Sequence, residues 1–151
     1  MILNCNILYA AGYIEESVEP AITFLHKRGV EVTFLGLKAG SVAGASGTVP
    51  SPSTLISQLN GAEIEEVLPG SLLIAGGSAC GQQLLADPRV HNLIHTMSLM
   101  ARPVGFLSPV SYSLVERLNL ATFTTSFLLQ DKPRDLLFLQ HFVEQLLLRN
   151  K

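Results

Sequence analysis

The stretch Arg102–Leu118, RPVGFLSPVSYSLVERL, places Ser108 directly after the apolar run Val104–Leu107 and directly before Pro109 and a helical pattern. A hydroxyl at the exit of a buried strand, with a helix starting behind it, is where many enzymes hold a nucleophile. Such a serine needs an adjacent base to take its proton and a third group to hold that base. The chain has four histidines, and none has an evident route to Ser108. His26 falls late in the first helical pattern, toward the opposite end of the sheet. His91 and His95 stand four apart, a metal-like spacing, but no third ligand lies near them in sequence and a metal site needs three or four. No metal and no cofactor is therefore expected. His141 sits among leucines. Cys80 is the other candidate nucleophile. It lies three residues past Gly77, near a helix start, where a thiol pKa falls. Pro109 carries no N–H, which removes one donor from any oxyanion hole.

The elements that must position these residues alternate. Ile2–Ala10 is apolar and strand-like, ended by Gly12. Glu15–Arg28 carries Val18, Ile22 and Leu25 at helical spacing, with Pro20 read into its first turn and Gly29 closing it. Val30–Leu35 is a second strand, completing β-α-β within a parallel-crossover length. The Gly, Ala and Ser-rich segment 36–52 reads as a loop, with a small hairpin around Val42 and Val49. Ser53 is placed to cap a short helix through Gln58. Glu63, Glu65 and Glu66 form a solvated acidic tip on the connection that follows. Ser71–Ala75 is a third strand, ended by Gly76-Gly77. Asp87-Pro88 opens a helix that continues through Val90, Leu93, Ile94 and Met97. Val104–Leu107 is the fourth strand, Val110–Leu118 a helix and Ala121–Phe127 a last strand. A final helix starts at Asp131 and Pro133 and runs to about Arg149. Apolar strands alternating with helices predict a mainly parallel sheet covered on both faces, a three-layer α/β/α sandwich of the flavodoxin-like kind. Sites in such sheets lie outside the carboxyl ends of the strands. Three segments meet that condition: Tyr13–Glu16, Gly76–Cys80 and Ser108.

Together these segments resemble the ThiJ/PfpI family of the class I glutamine-amidotransferase-like superfamily. GYIEES is similar to the family's G-x-E-E-x-E segment, SLLIAGGSACGQQLLADPRVHNLI to its strand, Gly-Gly turn and helix, and RPVGFLSPVSYSLVERLNL to its nucleophile elbow. The resemblance runs from about Ile2 to Phe127. It implies that Glu16 is the buried family glutamate, bonded to whatever occupies the elbow. It also implies that Gly76, Gly77, Ser78 and Pro109 line the oxyanion or ligand-binding corner. The departures weigh more. The family's elbow residue is a cysteine and here it is Ser108; the family's histidine positions are similar to Pro109 and Ser126; the glycine after the elbow is Val110. The shell is kept and the chemistry removed.

With 151 residues the chain suits one domain, residues 1–151. Hydrophobic residues make up 48% and charged residues 15%, and the mean hydropathy is +0.37, so extensive burial or a subunit contact is expected. The net charge of −2, with no Lys/Arg cluster, argues against nucleic acid and against an anionic membrane surface. No apolar run approaches the roughly 20 residues that span a bilayer. Cys5 and Cys80 fit two reduced thiols in a cytoplasmic protein, and MILNCNILYAAGYIEE reads as a first strand in place of a signal peptide. The leucines and phenylalanines of RDLLFLQHFVEQLLLRNK exceed one core-facing stripe. Leu136, Leu139, Val143, Leu146 and Leu147 are assigned to that stripe, with Phe138, Phe142 and Leu148 widening it toward a homodimer interface. The favoured reading is a degenerate ThiJ/PfpI-like domain that binds a partner or small ligand without turnover. The alternative is an enzyme of that type, acting on reactive carbonyl, glycated or amide substrates through Cys80, or through Ser108 with Glu16. An unrelated flavodoxin-like or nucleotide-binding domain is the third reading, weakened because no G-x-G-x-x-G follows the first strand.

Overall fold

The computed structural model describes residues 3–40, 42–47, 50–59, 68–118, 128–130 and 135–149. The strands are β1 (Leu3–Leu8), β2 (Val30–Gly36), β3 (Thr54–Leu55), β4 (Leu72–Ile74), β5 (Val104–Phe106) and β6 (Leu128–Leu129). The helices are α1 (Glu15–Lys27), α2 (Ser78–Leu85), α3 (Pro88–Leu99), α4 (Tyr112–Leu118) and α5 (Leu136–Arg149). The strands form one sheet in the order β3-β2-β1-β4-β5-β6, and every pairing is parallel. Leu3–Leu8 runs beside Val30–Leu35 on one side, and Asn6–Leu8 beside Leu72–Ile74 on the other. α1 packs with α5, whereas α2 packs with α3 and α4, so the helices form two groups. A parallel sheet needs cover on both faces. Accordingly Cys5, Ile7, Leu8, Leu72, Leu73 and Ile74 are all fully or almost fully buried. This is the α/β/α sandwich expected from the alternation.

Local chemistry explains the element ends. Asp87 caps α3 by accepting the Arg89 N–H at 3.0 Å, with Pro88 at the first helical position. Gly29 closes α1 at φ +77°, a left-handed conformation that a Cβ disfavours. Asp135 accepts the Phe138 N–H at 3.3 Å at the start of α5. Gly105 lets α5 sit close on the sheet: a Cβ there would stand 2.9 Å from both Leu73 Cδ2 and Phe138 Cζ.

Several expectations are corrected. The helix proposed after Ser53 is instead β3 followed by a 3-10 turn, Ile56–Leu59. The Ser53 N–H donates to the Phe34 carbonyl at 3.0 Å, so the segment joins the sheet beside β2. Pro20 lies in the second turn of α1, because that helix starts at Glu15. It there withholds the N–H that the Glu16 carbonyl would accept. The helix after β5 begins at Tyr112, two residues later than Val110. On α5 the core face is Phe138, Leu139, Phe142, Val143 and Leu146, whereas Leu136, Leu147 and Leu148 are exposed. The side chain of Val42 is half-buried, and its N–H folds back onto the Pro50 carbonyl at 3.2 Å. Val49, the acidic tip at Glu63, Glu65 and Glu66, the strand Ala121–Phe127, Ser126, Asp131 and Pro133 lie outside the described residues.

Candidate functional site

The strand order reverses between β1 and β4, and in open α/β sheets the crevice outside that switch point is the usual ligand site. The hydrogen-bond ladder carries the strand ends to one level: Ala75 N–H donates to Leu8, Leu107 N–H to Ile74 and Gln130 N–H to Phe106, each at 2.9 Å. Gly76, Gly77, Ser108 and Pro109 therefore meet. A Cβ on Gly76 would lie 2.5 Å from the Ser108 carbonyl oxygen, so only glycine permits that approach. The Gly77 N–H donates to the Pro109 carbonyl at 2.9 Å, and the Gly76 carbonyl accepts the Ile14 N–H at 3.0 Å. Ser78 is the exposed first residue of α2.

Ser108 is 1% exposed. Its N–H donates to Gln130 Oε1 at 2.9 Å, and its carbonyl accepts the Ser17 hydroxyl. The Ser108–Pro109 peptide is cis. The Ser108 hydroxyl and Gln130 Nε2 are buried with no hydrogen-bond partner among the described residues. A nucleophile elbow holds its residue on a strained turn with the reactive oxygen presented outward. Among the described non-glycine residues only Ala101 has a positive φ, so Ser108 lacks that backbone, and its hydroxyl faces inward. The Gly77 N–H, one donor expected in the oxyanion corner, is engaged by the Pro109 carbonyl.

Glu15, the first residue of α1, packs against the 44–46 loop. Its carboxylate is buried and accepts the Ser46 N–H at 3.0 Å on both oxygens, and it fills the space that a side chain on Gly44 would take. Glu16, assigned by resemblance as the buried family glutamate, is exposed. Helix phase explains the difference. Glu15 precedes Val18, Ala21 and Leu25 on the buried face of α1, whereas Glu16 aligns with Glu19 and Thr23 on the wet face. That phase was available from the apolar spacing. Ser17 and Gln130, the two side chains that hold the Ser108 backbone, carried no comparable signal.

Cys80 lies in the first turn of α2 but is fully buried, with its thiol 3.8 Å from the Ala75 carbonyl. Burial pushes the thiol up to about 11, and burial outweighs any help from the helix start. His26, His91, His95 and His141 are all exposed. Among the described residues no group of three or more His, Cys, Asp or Glu stands together as a metal-binding set.

A cavity of about 900 Å³ lies at the carboxyl ends of β1 and β2, lined by Tyr9, Ala11, Leu37, Lys38, Val42 and Pro88 among others. Its walls are tied by hydrogen bonds. Tyr9 donates to the Pro50 carbonyl at 3.1 Å, Gly12 N–H to Ala43 at 2.8 Å, and Arg89 Nη2 to Leu37 at 3.0 Å. The Arg89 guanidinium, 2.7 Å from Asp87, holds that carboxyl below the usual carboxylate range.

No family model and no curated protein matches the sequence. The architecture does match solved structures. A point mutant of Schizosaccharomyces pombe DJ-1 superposes with a TM-score of 0.75 at 12% identity, over 96% of this chain and 91% of that one. Drosophila melanogaster DJ-1beta gives 0.68 at 14%, over 87% and 75%. This chain has a DJ-1/ThiJ/PfpI-like fold. Oxidized Toxoplasma gondii DJ-1 gives 0.60 at 16% identity, over 69% of this chain, which spans only 54% of that protein. Within this DJ-1-like fold, Ser108, Gly76 and Gly77 occupy the strand ends, and the open volume lies at the ends of β1 and β2.

Proposed function

We propose that this DJ-1-like chain is a non-catalytic binding domain that keeps the fold's shell without a working nucleophile. One observation carries the reading: the Ser108 hydroxyl is buried, with no partner among the described residues to take its proton. The enzymatic alternative needs Cys80, or Ser108 with Glu16. Cys80 holds its proton to about pH 11, and Glu16 points to solvent. A small-molecule ligand fits the cavity at Tyr9, Leu37 and Lys38, whose volume and mainly apolar lining suit one. Gly76, Gly77, Ser78 and Pro109 act in this reading as a structural corner that does not line the cavity. Two free, buried thiols accord with a cytoplasmic setting. The exposed leucines of α5 support a homodimer.

The test is turnover of methylglyoxal, a glycated amine and an activated ester by the wild-type chain, Ser108→Ala and Cys80→Ser. Wild type and both variants should stay at background, since a missing general base removes about 10²–10⁴-fold of rate. Robust turnover abolished by Ser108→Ala or by Cys80→Ser overturns the proposal.

A further inference from the structure

Helix α5 buries Phe138, Leu139, Phe142, Val143 and Leu146 against the sheet. An α-helix turns about 100° per residue, so the direction opposite Leu139 and Leu146 is held by Leu137, His141, Glu144 and Leu148. A surface helix is normally polar there. Yet Leu137 is 77% and Leu148 57% exposed, one at each end of the ridge. Between them stand His141 and Glu144, both exposed and 4.0 Å apart.

The ridge has a symmetry of its own. The midpoint of Leu137 and Leu148 falls between Phe142 and Val143, and so does the midpoint of His141 and Glu144. A two-fold axis through that point brings each leucine onto the other leucine of a second copy, and each histidine onto a glutamate. We propose that two copies of this chain pack α5 antiparallel about this axis, with Leu137 against Leu148 of the partner subunit and His141 against Glu144 of the partner subunit. Self-complementarity of this kind is what an isologous interface requires. Leu136 and Leu147, 55% and 46% exposed, lie on one shoulder of the ridge and broaden the apolar contact. A membrane surface fits less well, because the ridge pairs an acid with its one basic group where a lipid-binding face would be rich in Lys and Arg. The inference rests on the homodimer reading above and fixes its interface.

Disulfide trapping tests the register. Across an antiparallel pair, Leu137 and the equivalent residue of the second copy stand about 16 Å apart along the helix, too far for a bond. The double variant Leu137→Cys/Leu148→Cys should give a covalent dimer on mild oxidation, and neither single variant should. Cys5 and Cys80 are buried and stay silent. As a second probe, His141→Glu should raise the dimer dissociation constant about fivefold, and adding Glu144→Lys should restore it. Sedimentation of the wild type separates the two levels. A monomer at micromolar concentration overturns both the homodimer and this interface. A dimer whose single-cysteine variants cross-link, or whose double variant does not, overturns the interface and leaves the homodimer standing.

Discussion

Around Ser108 the backbone makes the bonds: Gln130 takes its N–H, Ser17 bonds its carbonyl, and the hydroxyl has no partner among the described residues. A buried hydroxyl left unpaired is a cost to folding of about 1–3 kcal/mol. The cysteines obey the same logic of burial. The Cys5 thiol is pushed up to about 12 and the Cys80 thiol to about 11, in both cases chiefly by desolvation, against 9.0 when unperturbed. The folded state therefore keeps protons that the unfolded chain releases. That contribution to stability is fully present below pH 9 and is lost as the pH rises from 9 toward 11–12. The urea midpoint should be level between pH 7 and 8 and lower at pH 10.5. Cys80→Ala should flatten part of that fall. Equal midpoints for wild type at pH 8 and 10.5 would remove the burial argument from both thiols. Iodoacetamide at pH 8 should label the native chain far more slowly than the urea-unfolded chain, since the thiolate is the reactive form.

At the scale of elements, β5 and α5 depend on one missing side chain. Gly105 sits where a Cβ would press on Leu73 and on the ring of Phe138, which itself stacks on Phe142 at 6.4 Å between centroids. Gly105→Ala should destabilise by about 1–3 kcal/mol through overpacking, and Gly105→Ala/Phe138→Leu should recover part of that because the ring tip is gone. Chemical denaturation of the three proteins checks it; a neutral Gly105→Ala would mean that α5 does not lie where described. The strand-helix alternation, the Asp87-Pro88 cap and the Gly29 stop were legible because each is a local rule that the core does not override. The short strand Thr54–Leu55 was not, since it exists only by pairing with Leu35 and Gly36, a contact that no local pattern encodes. The α5 face was misjudged in phase. Phe138 and Phe142 occupy the core where leucines had been assigned, because Gly105 opens room for rings. At the candidate site, the meeting of Gly76, Gly77 and Ser108 was readable from strand ends. The buried Ser108 hydroxyl and the exposure of Glu16 depended on backbone direction and helix phase.

For the whole molecule, the sheet order sets the arrangement of site, cavity and outer helix. Among the described residues the two edges, β3 and β6, are two residues each, short enough to offer little template for another chain to add a strand. Association then falls to side chains, and α5 carries the most exposed of the large apolar ones. The centre of the sheet has a different consequence, one of time. β1 is flanked by β2 and by β4, and its second neighbour is encoded far downstream, with Leu8 beside Ile74. On a ribosome adding about 5–20 residues per second, β1 waits roughly 2–8 s with one edge bare after β2 has paired. Stalled nascent chains that end before Ser71 should be cut readily by protease within Leu3–Gly36, and chains extended well past Phe106 should resist. Equal resistance at both lengths would mean that the β1-α1-β2 unit closes by itself. A central strand of the finished sheet is thus the one its synthesis leaves open longest.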